Sequence, residues 1–126
     1  MKALTLTQPW ASAIALGWKR IETRSWYTSY RGPLLIHAAK NFPTAARQFA
    51  EEERAMGRCP DKLSLGALIA RARLVKVVPT TEVVPSDLER RLGDFWPRRW
   101  AWLLEDVEPL PEPIPCKGAL GLWEYP

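Results

Sequence analysis

The chain contains few of the residues that hold a structural metal ion. Its 126 residues include two cysteines, Cys59 and Cys116, and a single histidine, His37. A structural zinc site takes about four cysteine or histidine ligands, so these scattered residues exclude such a site, and we expect no metal and no organic cofactor. Because no export signal is recognisable, both cysteines are predicted to remain reduced thiols.

Long apolar segments are also missing. No apolar run approaches the roughly 18 residues that a membrane-spanning helix requires, and the first residues lack the apolar core of a signal peptide. We therefore expect a cytoplasmic protein that does not associate with membranes. The sequence also lacks phosphate-binding, dinucleotide-binding, zinc-protease and catalytic-triad motifs.

What the chain does contain is typical of a folded domain. Hydrophobic residues make up 47% and charged residues 25% of the sequence, close to the averages for globular proteins. A length of 126 residues suits a single domain over residues 1–126. The formal net charge of +4 permits contact with polyanions, and the seven tryptophans can either fill a core or stack on bases.

Local patterns predict short strands and short helices. Alternating polarity predicts strands near residues 4–7, 20–26, 34–37, 65–78, 100–103 and 118–125. Helical periodicity and capping residues, including a capping box formed by Ser86 and Glu89, predict helices over residues 8–17, 43–56 and 86–93. This order lacks the rhythm of a doubly wound sheet, so the predicted class is α+β, a small mixed β-barrel of five to six strands with short peripheral helices. Prolines at positions 109, 111, 113 and 115 exclude a central strand and favour an extended edge or loop.

Periodicity also assigns faces within two of these elements. On the strand at 65–78, the residues predicted to share one face are Leu68, Ala70, Ala72 and Leu74, with Arg71 and Arg73 on the other. In the helix at 43–56, the residues predicted to face the core are Ala46, Phe49, Ala50 and Met56. Three consecutive glutamates of that helix are predicted to face solvent, namely Glu51, Glu52 and Glu53.

The most suggestive polar cluster lies at residues 17–24, where the first helix ends and a strand begins. Lys19 lies at the mouth of the turn, and the strand period of two puts Glu22, Arg24 and Trp26 on one face. A cation for phosphate, a carboxylate for a base amino group and an indole for stacking together suit a nucleotide. The alternative is a surface ion pair between Glu22 and Arg24, with Trp26 in the core.

Other basic residues have less specific interpretations. His37 ends an apolar strand, which is typical of a hydrogen-bonded, partly buried histidine, and Lys40 adds positive charge at the same rim. Lys117 precedes Gly118, where the backbone can approach closely, so Lys117 could reach a pocket or simply belong to a turn. Two basic groups are interpreted as solvated faces: Arg71, Arg73 and Lys76, and Arg90, Arg91, Arg98 and Arg99.

Three segments of the chain resemble the ASCH domain family. They are QPWAS at 8–12, GxKxxExR at 17–24 continued by SWYT at 25–28, and RG at 31–32. The likeness is tight over about the first 40 residues and looser at 66–77 and 113–123. Within the family, the chain is most similar to the cointegrator-type domains, which carry glutamate at the position of Glu22. The resemblance implies a PUA-like fold with a cleft beside the GxKxxExR segment.

The resemblance also implies a function. Barrels of this kind bind RNA or a modified base, so the leading hypothesis is a nucleic-acid-binding domain, with RNA or single strands favoured and DNA possible. We expect Lys19, Arg24 and Lys117 to contact phosphate and Glu22 to orient Lys19 and Arg24 or to accept from a base. The complete set of predicted binding residues is Lys19, Glu22, Arg24, Ser25, Trp26, Arg31, Lys40 and Lys117.

Two alternatives stay open at this point. Some small bacterial ASCH proteins hydrolyse N4-acetylcytidine, with a catalytic lysine at the position of Lys19 and a threonine where this chain has Glu22. The second hypothesis is therefore an amidohydrolase of a modified nucleoside, with Lys19 and Glu22 catalytic and Glu22 as general acid–base. The third is a protein-interaction module in which the proline-alternating segment and exposed tryptophans contact a protein partner.

Overall fold

Six strands pair into one mixed sheet that curls into a half-barrel, in the order β2-β5-β4-β3-β1-β6. The computed structural model describes residues 1–126. The strands are β1 (Lys2–Leu6), β2 (Ile21–Arg24), β3 (Gly32–Ala38), β4 (Ala67–Pro79), β5 (Trp100–Pro115) and β6 (Leu122–Glu124). The helices are α1 (Trp10–Ala15), α2 (Thr44–Ala55) and α3 (Asp87–Leu92), with a 3-10 turn at Thr80–Glu82. The predicted α+β class with six strands and short helices is confirmed.

The two longest strands, β4 and β5, pair with each other along most of their length. The first part of β5 pairs with both β2 and β4, but β2 ends after four residues, so the proline-rich second part of β5 pairs only with β4. The prolines therefore lie on an edge, as predicted, where a missing backbone donor leaves no neighbour unpaired. Register shifts between β4 and β5 mark bulges, which bend and twist a sheet.

The main core lies between α1 and the sheet. Its largest fully buried side chain is Trp102 of β5, surrounded by Ile14 of α1 and by Leu34, Ile36 and Leu74 of the sheet. Helix α1 packs against β3, β4 and β5. Burial of these apolar side chains is the dominant stabilising contribution to the fold. No helix of the chain is both long and apolar enough to span a bilayer.

Two face assignments from periodicity are wrong. Leu68 packs with Ala3 and Leu35 in a smaller cluster, whereas Ala70 belongs to the main core, because the β4–β5 register shifts between positions 68 and 70. In α2, Glu53 is 2% exposed and Met56 is 55% exposed, the reverse of the prediction. Glu53 turns inward because arginines from outside α2 bind it, which helical periodicity does not reveal.

Candidate functional site

A cleft opens where the start of α1, strand β2 and the segment after α3 meet. Its volume is about 500 Å³. The charged and aromatic residues that line it are Trp10, Glu22, Arg24, Trp26, Arg91, Asp94 and Arg99. A cleft with three arginines, two carboxylates and two indoles can bind a planar, negatively charged ligand.

Trp10 owes its position to the way α1 begins. The side chain of Gln8 is fully buried, and its Oε1 accepts a 2.9 Å hydrogen bond from the Ser12 backbone N–H. This bond satisfies a donor that the first turn of a helix leaves free. The Gln8 amide also donates to Ser12 Oγ and to the Ser64 carbonyl oxygen. Trp10 stacks on Phe49 of α2 with ring centroids 5.2 Å apart, so it is held between α2 and the cleft.

Glu22 and Arg24 lie on β2 with their charged groups in contact. Arg24 Nε lies 3.0 Å from Glu22 Oε2, but its N–H does not point at the carboxylate, so the contact is an ion pair without a hydrogen bond. Arg24 Nη2 donates a 2.7 Å hydrogen bond to the Thr5 carbonyl oxygen. This bond joins edge strand β2 to β1 across the curled sheet. Trp26 both lines the cleft and packs against the main core, edge-to-face with Trp102 at 4.8 Å.

Lys19 is buried and does not line the cleft. Its Nζ donates to the carbonyl oxygens of Ile21, at 2.6 Å, and Leu92, at 2.8 Å, and it lies 3.5 Å from Glu22 Oε1. Two of the three N–H bonds of the ammonium group are thus used by carbonyl oxygens, and Glu22 faces the group as an ion pair. Burial lowers the pKa of Lys19, while the charges of Glu22 and Glu89 act in the opposite direction. Lys19 therefore braces the cleft from beneath by joining β2 to the end of α3.

Arg91 reaches the cleft from α3 and is held by α2. Its Nε donates to Glu53 Oε2 at 2.7 Å and its Nη2 to Glu52 Oε1 at 3.2 Å. Its guanidinium lies 5.1 Å from the centre of the Phe49 ring. Glu53 also accepts two hydrogen bonds from Arg58. Burial disfavours the Glu53 carboxylate, but the hydrogen bonds from Arg58 and Arg91 outweigh that effect and hold the pKa of Glu53 below its usual range.

Arg99 lies just before β5 and joins the segment after α3 to β2 at the cleft. Its Nε donates to the Asp94 carbonyl oxygen at 3.2 Å and its Nη2 to the Thr23 carbonyl oxygen at 3.1 Å. Its guanidinium also lies 3.4 Å from Asp94 Oδ2. The hydroxyl of Thr23 accepts from the Asp94 backbone N–H. The segment after α3 is thus tied to β2 at several points.

Half of the predicted binding residues line this cleft. They are Glu22, Arg24, Ser25 and Trp26. Lys19 lies beneath it, as described above. Arg31 lies elsewhere, with its Nη1 donating to the carbonyl oxygens of Thr28 and Tyr30.

Lys40 and Lys117, the remaining two, line a separate cavity of about 900 Å³ together with His37. His37 Nε2 lies 2.8 Å from the Cys116 carbonyl oxygen, so this nitrogen is the donor and Nδ1 accepts from the Thr5 hydroxyl at 3.2 Å. His37 is 1% exposed, a fully bonded and buried residue. The lysines of this cavity therefore do not add charge to the cleft at Glu22 and Arg24.

The sequence predicts that Arg91 and Arg99 lie on a solvated face, but the structure places both on the cleft. The link between α3 and β2 comes from Glu89. Ser86 Oγ accepts the Glu89 N–H as a helix cap, yet the Glu89 carboxylate accepts from the Arg20 backbone N–H at 2.7 Å. The capping motif was visible in the sequence, whereas the partner of its glutamate was not.

The chain offers no evident metal centre. Nowhere do three or more histidine, cysteine, aspartate or glutamate side chains cluster closely enough to hold a metal ion. Cys59 and Cys116 are both free thiols and half-buried. Burial raises the pKa of the Cys59 thiol, which favours the protonated, less reactive form at neutral pH.

Comparison with known proteins gives a consistent result. The family model of the ASCH domain matches residues 4–102. Activating signal cointegrator 1 of Homo sapiens and that of Mus musculus are each 51% identical over 41 residues. This alignment spans 32% of the chain but only 7% of the length of those curated relatives.

The solved structures support the same fold. ASCH from Zymomonas mobilis superposes with a TM-score of 0.54 at 17% identity and covers 90% of this chain and 72% of that chain. A point mutant of the same protein gives a TM-score of 0.55 at 17% identity, with 90% of this chain and 74% of that chain covered. At this identity, the likeness concerns the fold alone.

Proposed function

Because the chain belongs to the ASCH domain family, we propose that it binds nucleic acid, with single-stranded RNA favoured over DNA, in the cleft that Glu22 and Arg24 line. Members of this family are often associated with nucleic acid. A duplex keeps its base faces inside the stack, whereas an unpaired base can enter a cleft and stack on an indole. Trp26 supplies that indole, and Glu22 can accept from a base amino group.

The observation that carries this proposal is that the guanidinium groups of three arginines are held in fixed positions around the cleft. Arg24, Arg91 and Arg99 each line the cleft, and each is held by its own hydrogen bonds or ion pairs. In all three, the Nη1 amino group donates no hydrogen bond within the chain. Guanidinium groups held in place lose little side-chain freedom on binding phosphate. Three such groups around one cleft suit a ligand with several phosphate oxygens.

The test is fluorescence-anisotropy binding to matched single-stranded RNA, single-stranded DNA and duplex DNA at several salt concentrations. If three arginines neutralise phosphates, log affinity falls against log salt with a slope of about −2 on a single strand. Arg24→Gln weakens binding about tenfold, because a charge-assisted bond is lost. Arg71→Gln removes an exposed arginine on β4, away from the cleft, and leaves affinity unchanged. An equal loss of affinity in both variants, or an affinity that does not change with salt concentration, would refute the proposal.

A second candidate function rests on the contact between Lys19 and Glu22. A buried lysine with a lowered pKa beside a carboxylate is a pair that acid–base chemistry on a modified nucleoside could use. Two carbonyl oxygens already bind the Lys19 ammonium, so the lysine would have to leave them to reach a substrate. Incubation with N4-acetylcytidine, followed by chromatography for released cytidine, tests this function. Product from wild type but not from Glu22→Gln would establish it.

A further inference from the structure

The most exposed of the seven tryptophans is Trp96, in the segment after α3. Its side chain is 77% exposed, while Trp18 is 41% exposed and the others are less so. The backbone of Trp96 is nevertheless held on both sides. Its N–H donates to Asp94 Oδ1 at 3.2 Å, and its carbonyl oxygen accepts from the buried Thr80 hydroxyl at 2.8 Å. The fold thus presents an indole to solvent from a fixed backbone.

The surface around Trp96 continues the cleft. Trp96 lines a neighbouring hollow of about 560 Å³ whose other members include Arg90 and Pro97. Gly93 and Asp94 line both this hollow and the cleft. A chain that leaves the cleft over these two residues therefore arrives at the Trp96 indole.

Charge at this surface complements a phosphate backbone. Arg90 and Arg98 are exposed, and neither side chain makes an ion pair or hydrogen bond within the chain. The single acid that lines the hollow, Asp94, is already paired with Arg99 at 3.4 Å. Arg90 lines the hollow together with the exposed Trp96 indole, and Arg98 follows Trp96 by two positions in the chain. Unpaired guanidinium groups on both sides of Trp96 in sequence match the alternation of phosphate and base along a strand.

We propose that Trp96, with Arg90 and Arg98, forms a second base-stacking subsite, so that the ligand is a single strand of several nucleotides rather than a lone nucleoside. This inference rests on the proposed function, because it extends the strand that enters the cleft at Arg24. Trp96 stacks on a base outside the cleft. Arg90 and Arg98 contact the phosphates that flank that base.

The experiment compares a single-stranded RNA octamer with a mononucleotide of the same base, using anisotropy for the octamer and calorimetry for the mononucleotide. Trp96→Ala is expected to weaken octamer binding about tenfold and to leave mononucleotide binding unchanged, since each stacked base contributes on this scale. Trp96→Phe restores most of the octamer affinity. Trp18→Ala, the matched control at another exposed tryptophan, changes neither affinity. Arg90→Gln flattens the salt slope of octamer binding by about 0.7.

The outcomes separate this inference from the proposed function. If Trp96→Ala binds both ligands like wild type while Arg24→Gln weakens both, the cleft binds nucleic acid and the second subsite does not exist. If Trp96→Ala weakens both ligands equally, Trp96 shapes the cleft and the subsite is again refuted. If wild type binds neither ligand, the proposed function and the inference fail together, and a protein segment becomes the better candidate for the exposed indole.

Discussion

The Lys19 ammonium donates a 2.8 Å hydrogen bond to the carbonyl oxygen of Leu92, which ends α3. The same nitrogen binds the Ile21 carbonyl oxygen and lies 3.5 Å from Glu22. One buried cation therefore sets the distance between two walls of the cleft, strand β2 and the segment after α3. A helix carboxyl terminus is also a favourable place for a positive charge.

Replacing Lys19 with methionine removes this brace while keeping a chain of similar length. Lys19→Met is expected to lower the free energy of unfolding by about 3 kcal/mol, because a buried pair loses one partner. Urea denaturation followed by circular dichroism measures the change. Lys40→Met is the control: Lys40 is exposed and unpaired, so its change stays within about 0.5 kcal/mol. A Lys19→Met protein as stable as wild type would show that Lys19 is not a brace.

Glu53 makes stability depend on pH in the acid range. Its pKa in the folded chain lies below the ordinary value of 4.5, because hydrogen bonds from Arg58 and Arg91 outweigh the effect of burial. A lowered carboxyl pKa stabilises the fold fully above pH 4.5, and this contribution is lost as the pH falls through the folded pKa. The melting temperature should therefore fall more steeply between neutral and acid pH for wild type than for Glu53→Gln.

At neutral pH, Glu53→Gln is expected to cost about 2 kcal/mol, since the charged partner of two arginines is removed. Glu51→Gln on the same helix is the control, because Glu51 is exposed and not bound to Arg91. Parallel melting curves for wild type and Glu53→Gln across the acid range would contradict the assignment.

Arg24→Lys tests whether geometry or charge matters at the cleft. The Arg24 guanidinium contacts Glu22 through Nε and the Thr5 carbonyl oxygen through Nη2. A lysine keeps the charge but lacks the planar fork that spans two partners. Affinity for single-stranded RNA is expected to fall, but by less than in Arg24→Gln because the charge is kept, with little change in salt slope. Arg71→Lys serves as the control, and wild-type affinity in Arg24→Lys would mean that charge alone is sufficient.

Gly118 is predicted to tolerate no side chain. A Cβ at this position would lie 2.5 Å from Thr5 Oγ1 and 2.7 Å from His37 Nδ1, too close for either atom. Gly118→Ala is expected to lower the free energy of unfolding by about 2 kcal/mol, because overpacking displaces a hydrogen-bonded pair. Ala119→Ser, at the neighbouring exposed position, should be neutral in the same urea titration. Equal stability of the two variants would refute the close packing at His37.

Several elements could be predicted because their signals are local. The Ser86 cap, the alternation that exposes Arg71 and Arg73, and the proline edge of β5 are all present in the structure. The burial of Glu53 could not be predicted in this way. Its partner Arg91 lies on another helix. Helical periodicity predicts which face of a helix is apolar, but it does not identify the charged residue of another element that will pair with Glu53.

The candidate site, too, could be predicted from the sequence only in part. Alternation along β2 predicts a shared face for Glu22, Arg24 and Trp26, and all three line the cleft, but so do Thr23 and Ser25 from the other predicted face. It could not show that Lys19 turns away to bind Leu92, or that Arg91 and Arg99 complete the cleft. Lys40, beside the rim at His37, and Lys117, before Gly118, were predicted to bind the same ligand as the cleft residues, but the fold places both lysines on another cavity.

The sequence by itself determined the elements and the residue types: where strands and helices begin, which side chains alternate, and which segment carries the family pattern. These properties depend on backbone preferences and on periods of two or about 3.6 residues, which act over short distances along the chain. Only the tertiary structure decided which charges are paired and which stay free. Pairing depends on the curl of the sheet and on contacts between residues far apart in sequence. Lys19 became a buried brace, and Arg24, Arg91 and Arg99 came to surround one cleft.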